Sequence, residues 1–156
     1  ALTLAACSGH EACVSVLLAA GAEVEAANKY GSTALIVAAG SGHEACVSAL
    51  LDLGASMDAV NRDGNTALML AASLAKIDIV NALLEAGADV NLKNKKHNTA
   101  LIIATWHGRI SMVQALLAKG ADVNVKDKNG NTALKIATEN NKGKIARLLL
   151  KAGAVR

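Results

Sequence analysis

The side chains with the widest chemical range in this sequence are four histidines and three cysteines. His10 and His43 stand at one repeated position, and we interpret them as structural residues that form hydrogen bonds at the start of a helix. Cys13 and Cys46 share a second repeated position, which carries a large apolar residue wherever it recurs later in the chain. We therefore expect both cysteines to be small core side chains. Neither His10 nor His43 has a second ligand at helical spacing, so the sequence predicts no metal site.

Catalytic motifs are missing from the sequence. It contains no phosphate-binding loop, no glycine-rich dinucleotide turn, and no arrangement of serine, histidine and aspartate with supporting context. The acidic residues are scattered over expected turns and helix surfaces. The sequence therefore predicts a protein that is not an enzyme, has no catalytic residues and needs no cofactor.

A repeat of thirty-three residues determines the elements that carry these side chains. The segment SGHEACVS occurs at 8–15 and again at 41–48, and a Leu-Leu pair followed by Gly-Ala recurs five times in the same step. The motif Thr-Ala-Leu begins at Thr33, Thr66, Thr99 and Thr132. One unbroken register predicts a single array. Its units lie at about 1–27, 28–60, 61–93, 94–126 and 127–156.

The third unit shows how one copy is expected to fold. It opens with turn-forming residues at 61–65, where Gly64 tolerates a positive φ. Thr66 is placed to cap a short first helix, and a second helix follows at about 78–85. Both helices are shorter than the roughly 12 residues at which an isolated helix becomes marginally stable. Each unit must therefore be stabilised by packing against its neighbours.

A turn, a short helix, a tight glycine turn, a second helix and a Gly-Ala-Asp-Val-Asn exit at this period resemble the ankyrin repeat. The resemblance covers essentially the whole chain. It implies an all-α solenoid of stacked helix-turn-helix units with projecting β-turn fingers. It also places Asn91 and Asn124 at the position that asparaginyl hydroxylases modify in some ankyrin repeats.

Three departures from the family pattern lead to structural expectations. His97 stands where the other fingers carry glycine, so we expect a positive φ and a strained or altered turn. Basic residues, among them Lys142, make the second helix of the last unit polar, which predicts a C-terminal capping unit. The first unit lacks its opening turn and a polar coat. The chain is therefore expected to be a monomer or to associate weakly end to end through this unit.

In ankyrin-like arrays the end of each first helix lies on the concave surface where partners dock. Trp106 and His107 occupy this position in the fourth unit, and tryptophan is enriched in binding hot spots. The other candidates at this position are Ser73, Leu74, Glu139 and Asn140. The alternative interpretation is that Trp106 only covers a shallow gap between units.

The finger tips are the second group of candidate binding residues. They are Tyr30, Ser32, Arg62, Asp63, Asn65, Lys95, Lys96, Asn98, Lys128, Asn129 and Asn131. Together they predict a basic ridge suited to an acidic peptide or protein surface. The alternative is that they are ordinary solvated loop tips. Nucleic acid is disfavoured as a partner, because the two aromatic residues lie in different units and form no stacking platform.

Charge and composition indicate the kind of partner and the cellular compartment. Residues 1–78 carry three basic against eight acidic residues, whereas 79–156 carry thirteen against five, so an acidic partner is expected over the C-terminal half. No apolar run approaches the roughly 18 residues of a membrane span. An odd number of cysteines favours a reducing compartment, so we expect a cytoplasmic or nuclear protein without membrane contact.

These observations favour a non-enzymatic module that binds a protein or peptide on its concave face. Its contacts are expected to come from finger tips and first-helix ends. The near identity of the first two units supports a second interpretation. In that interpretation the chain is an engineered or consensus-like ankyrin scaffold without a natural partner.

Overall fold

Ten α-helices form the fold in this computed structural model, which describes residues 1–155. The first helices of the units are α1 (Leu2–Cys7), α3 (Ala34–Ser41), α5 (Ala67–Ser73), α7 (Ala100–Trp106) and α9 (Ala133–Glu139). The second helices are α2 (Glu11–Ala19), α4 (Glu44–Asp52), α6 (Ile77–Glu85), α8 (Ile110–Ala118) and α10 (Gly143–Lys151). One pair of helices falls inside each predicted unit, and the all-α prediction is confirmed.

The helices form two layers. The first helices pack against one another in chain order, the second helices do the same, and each pair packs together within its unit. Small residues at one position of the first helices are completely buried, namely Ala38, Ala71, Ala104 and Ala137. Completely buried leucines occupy one position of the second helices, namely Leu50, Leu83, Leu116 and Leu149. The core therefore runs through the contacts between units.

Threonine begins four of the first helices. The Thr66 hydroxyl accepts a hydrogen bond from the Met69 N–H at 3.2 Å, and Thr33, Thr99 and Thr132 make the same bond in their units. Each bond satisfies one of the free N–H groups at a helix start. The predicted cap at Thr66 is confirmed.

Side chains of the following unit contact the free carbonyl groups at the C-terminal ends of several first helices. The His43 ring Nε2 lies 2.9 Å from the Cys7 carbonyl oxygen, and Arg109 Nε donates to the Ser73 carbonyl at 3.3 Å. Lys142 Nζ donates to the Thr105 carbonyl at 2.9 Å and to the carbonyl of the next residue. Free carbonyls and the negative end of the helix dipole favour these partners.

These contacts between units correct three expectations. His43 is structural, but its ring contacts the C-terminal end of the preceding unit's first helix instead of forming a hydrogen bond at the start of its own helix. His10 makes no side-chain hydrogen bond at the start of α2. Lys142, expected in a polar coat on the last unit, is engaged with the fourth unit.

The expectation that Cys13 and Cys46 are both core residues is wrong for Cys13. Cys46 is completely buried, whereas Cys13 is exposed. The position packs against the preceding unit, and for α2 no such unit exists among residues 1–155. Burial raises the pKa of the Cys46 thiol, and the nearby charge of Glu11 raises it further. Cys46 is therefore held as an unreactive thiol.

The last unit is less polar at its end than predicted. Lys144, Arg147 and Lys151 are exposed as expected. However, Leu150 is 40% exposed and Val155 is 68% exposed. These two side chains help line an open groove of about 680 Å³. The capping-unit prediction is therefore only partly right, because apolar residues share this face with the basic ones.

Candidate functional site

Four fingers, residues 28–32, 61–65, 94–98 and 127–131, project between the helix pairs. An Asn or Asp begins each finger and holds its shape. Asn61 Oδ1 accepts the N–H groups of Asp63 and Asn65, both at 3.0 Å, and the Gly64 N–H donates to the Asn61 carbonyl at 2.9 Å. The corresponding residues of the other fingers are Asn28, Asn94 and Asp127. The predicted β-turn fingers are therefore present and are locked locally.

Backbone hydrogen bonds join each finger to the next. The Arg62 N–H donates to the Tyr30 carbonyl at 3.0 Å, and the Lys95 N–H donates to the Asp63 carbonyl at 2.9 Å. The Lys128 N–H continues the series to the Lys96 carbonyl at 3.1 Å. The fingers consequently form a fixed row, which together with the first helices we call the finger surface.

His97 adopts the positive φ that was expected, 58°. The turn around it is not altered, because the His97 N–H donates to the Asn94 carbonyl at 2.8 Å as in the other fingers. The residue therefore carries local backbone strain within an ordinary turn geometry.

Tyr30, Arg62 and Asp63 meet at one groove of the finger surface. The groove has a volume of about 540 Å³ and lies between the second and third units. Ile36, Val37 and Leu70 of the first helices also line it. Ser32 also lines it but is only 8% exposed, because it lies at the base of its finger. Ser32 can therefore offer a partner far less surface than the sequence suggested.

Six predicted residues come together at a second groove, of about 370 Å³, between the fourth and fifth units. These are Lys96, Asn98, Trp106, His107, Asn129 and Asn131. The other lining residues are Ile102, Ile103, Asp127 and Ile136. Trp106 is 59% exposed at the end of α7. An exposed indole thus stands beside isoleucines and within a ring of polar groups.

Two further predicted residues lie between the grooves. Asn65 and Lys95 line a smaller pocket of about 270 Å³ that also includes Lys96 and Asn98. Lys128 is exposed on the last finger, with its backbone in the finger row.

The remaining first-helix ends have partners within the chain. The Ser73 hydroxyl donates to the Leu70 carbonyl at 2.7 Å, and Leu74 is half-buried. The Asn140 side-chain amide donates to the Ile136 carbonyl at 2.8 Å. Glu139 Oε1 lies 3.8 Å from Lys135 Nζ. Ser73 and Leu74 therefore offer a partner less surface than Trp106, whereas Glu139 and Asn140 are exposed.

Sequence reasoning missed the floor of the second groove. Ile102, Ile103 and Ile136 were not among the predicted residues, although they line the groove beside Trp106. Ile102 and Ile136 are only 3% exposed, so the half-buried Ile103 offers most of their apolar surface. It also missed the separate role of the first finger residue, where Asn or Asp recurs in every complete unit. That recurrence was the signal that could have identified it.

Asp127 is the acidic member of this recurring position. Partial burial opposes its ionisation, but hydrogen bonds from Asn131 and Asn129 and the charge of Lys135 outweigh that effect and lower the pKa of Asp127. A carboxyl whose pKa is lower in the folded chain stabilises the fold at pH values above its unfolded-state pKa of about 3.9. This contribution is lost as the pH falls through the folded value.

We therefore expect Asp127→Asn to weaken the acid sensitivity of the fold. Asparagine serves at the same position in the other fingers, so the turn should be kept. The measurement is the free energy of unfolding in urea between about pH 5 and pH 2. The variant should lose less stability over this range than the wild type. Identical pH profiles would contradict the role assigned to the Asp127 carboxylate.

Within residues 1–155, no group of three or more His, Cys, Asp or Glu side chains is placed to hold a metal ion. None of the helices described is both long enough and apolar enough to pass through a lipid bilayer.

Comparison with known proteins fits the paired helices and fingers. The model of the ankyrin-repeat family matches in three overlapping copies, at residues 2–94, 53–127 and 90–155. No curated protein matches the chain. Because the family matches extend over almost the whole length, the chain belongs to the ankyrin-repeat family.

Proposed function

We propose that this chain is a non-enzymatic module that binds a protein or peptide on its finger surface. Ankyrin repeats are generally protein–protein interaction modules. The observation that supports this location is Trp106, which is exposed beside the isoleucine-lined groove of the fourth and fifth units. An exposed large aromatic side chain next to a groove with both apolar and polar lining is typical of a binding anchor.

The construction of the finger surface suits this role. Each finger is held by its own Asn or Asp and by backbone bonds to its neighbour. Little conformational entropy is therefore lost when a partner binds, which favours affinity from a modest contact area. The exposed basic residues of the fingers favour an acidic partner over the C-terminal half.

The test compares Trp106→Ala with Leu53→Ala. Leu53 is 52% exposed and directly follows α4, a second helix away from the fingers, so it serves as a control of similar exposure. Proteins captured from a lysate by the wild type would be identified, and their Kd would be measured for each variant. We expect Trp106→Ala to raise the Kd roughly thirtyfold, as for a hot-spot residue, and Leu53→Ala to leave it unchanged.

Two outcomes would contradict the proposal. Equal Kd values for the wild type and Trp106→Ala would remove this residue from the interface. Capture of no protein above background would support the alternative of an engineered or consensus-like scaffold without a natural partner.

Further expectations belong to the same proposal. We place the chain in the cytoplasm or nucleus, and as a monomer or a weak end-to-end assembly through the exposed Leu4 and Val16 of the first unit. Asn91 and Asn124 are proposed substrates of an asparaginyl hydroxylase. Both side chains are exposed, and they accept the N–H groups of Asp122 and Val155 at 2.8 and 3.0 Å.

A further inference from the structure

One register position of every finger carries a basic residue. These residues, which we call the basic row, are Lys29, Arg62, Lys95 and Lys128. Each follows the Asn or Asp that begins its finger, and all are exposed. The repeat therefore presents one positive charge per unit along the finger surface.

The charges of the basic row are not neutralised within the described chain. Across residues 1–155 the one ion pair joins Lys135 to Glu139, which lies at a first-helix end. The Asp127 carboxylate is engaged with the N–H groups of Asn129 and Asn131. Asp63, next to Arg62, is the remaining acidic residue on the fingers. The row therefore has a net positive field that an acidic partner would complement.

The spacing of the basic row follows from the hydrogen bonds between fingers. Each finger is joined to the next by a backbone hydrogen bond, so the fingers keep the step of the first helices beneath them, which pack against one another in chain order. Packed helices are separated by about 8–10 Å, so the members of the basic row are expected to repeat at about this interval. A complementary ligand would carry negative charges at this interval.

An extended ligand can match this interval in one backbone conformation. In a polyproline II helix every third side chain lies on the same face, at intervals of about 9.3 Å. A β-strand repeats its faces every two residues, at about 6.7 Å, which does not match. Strand addition is also disfavoured, because the N–H groups of Arg62, Lys95 and Lys128 are already bonded to the preceding finger.

We propose that the finger surface binds an acidic segment in the polyproline II conformation, with a carboxylate at every third residue. Each carboxylate would pair with one member of the basic row. This inference rests on the proposed function, because it specifies the partner of the same surface.

The test measures binding of labelled peptides by fluorescence anisotropy at low salt. The first peptide contains four Glu-Pro-Pro repeats. The second has the same composition with its glutamates contiguous, and a third is helical with glutamate at every seventh residue. The first peptide should bind the wild type most tightly, and rising salt should weaken its binding through screening.

A matched pair of variants distinguishes the effect of where the basic residues lie from the effect of the net charge of the protein. One variant replaces the basic row (Lys29→Gln, Arg62→Gln, Lys95→Gln, Lys128→Gln). The control replaces four exposed basic residues away from the fingers (Lys119→Gln, Lys144→Gln, Arg147→Gln, Lys151→Gln). Loss of four exposed ion pairs should raise the Kd of the first peptide roughly thirtyfold, and the control should change it less than about threefold. Circular dichroism checks that both variants fold.

Four results would overturn the inference. The contiguous or the helical peptide could bind as tightly as the first, or the control variant could lose as much affinity as the row variant. Tighter binding of an oligothymidine, lost on replacing the basic row, would assign the surface to nucleic acid. No binding of any peptide would also overturn it. If lysate proteins were still bound in a Trp106-dependent manner, the proposed function would stand while this inference fails.

Discussion

Replacing Leu83 with alanine is expected to lower the free energy of unfolding by about 3 kcal/mol. Leu83 is completely buried in α6, which packs between α4 and α8 of the neighbouring units. The substitution removes apolar contact and leaves a cavity that rigid helices on both sides cannot close. Urea unfolding followed by circular dichroism measures the change.

Leu17→Ala is the matched control for this prediction. Leu17 has the same register position in the first unit but is only half-buried. We expect its replacement to cost less than half as much as Leu83→Ala, because less apolar surface is removed from contact. Equal losses would contradict the conclusion that packing between units supplies most of the stability at this position.

Gly64→Ala is expected to destabilise the fold by about 2–3 kcal/mol for two separate reasons. Gly64 has φ of 77°, which is unfavourable for a residue with a side chain. An alanine Cβ would also lie 3.0 Å from the Lys95 N and 3.1 Å from the Asn94 Cα of the next finger. The backbone of one finger would have to move away from the other. Thermal or urea unfolding of the variant measures the loss.

Gly54→Ala separates the two reasons. Gly54 has a similar φ of 84°, but a Cβ there would meet nothing within 4 Å. Its replacement should therefore show only the backbone cost of about 1–2 kcal/mol. If both variants lost the same stability, close contact between fingers would not limit Gly64. The fourth finger accommodates His97 with a smaller φ of 58°, so some adjustment is possible there.

The parts of the fold that depend on nearby residues were predicted well. Thr66 caps its helix by accepting the N–H of a residue three positions later, and His97 takes the positive φ of the glycine that it replaces. Burial was harder to predict, because Cys13 and Cys46 lie in identical segments but only one of them has a unit packed over it. The partner of His43 is a carbonyl 36 residues earlier in the chain. Such contacts depend on how units stack, which no local pattern specifies.

The candidate site was predictable in its residue types but not in its shape. Trp106 stood out because it differs from the residues at its register position in the other units. The finger residues stood out because similar residue types recur at their positions. The grooves arise where two units meet, so their isoleucine lining depends on packing. Glu139 and Asn140, in contrast, have partners four residues earlier in the same helix segment. Those pairs were visible in the sequence, and both residues stay candidates because they are exposed.

The finger row has a consequence for how recognition can change during evolution. The bonds between fingers join backbone atoms, and each turn is held by its first residue, so the finger row does not depend on exposed tip side chains such as those of Arg62 and Lys95. Asn65 differs, because its side-chain oxygen accepts the Asn94 amide at 2.8 Å. Mutations at these exposed basic positions are therefore expected to cost little stability. Duplication of a unit would lengthen the surface by a constant increment and leave the contacts of existing units unchanged. Specificity and length are thus inherited as independent traits in this architecture.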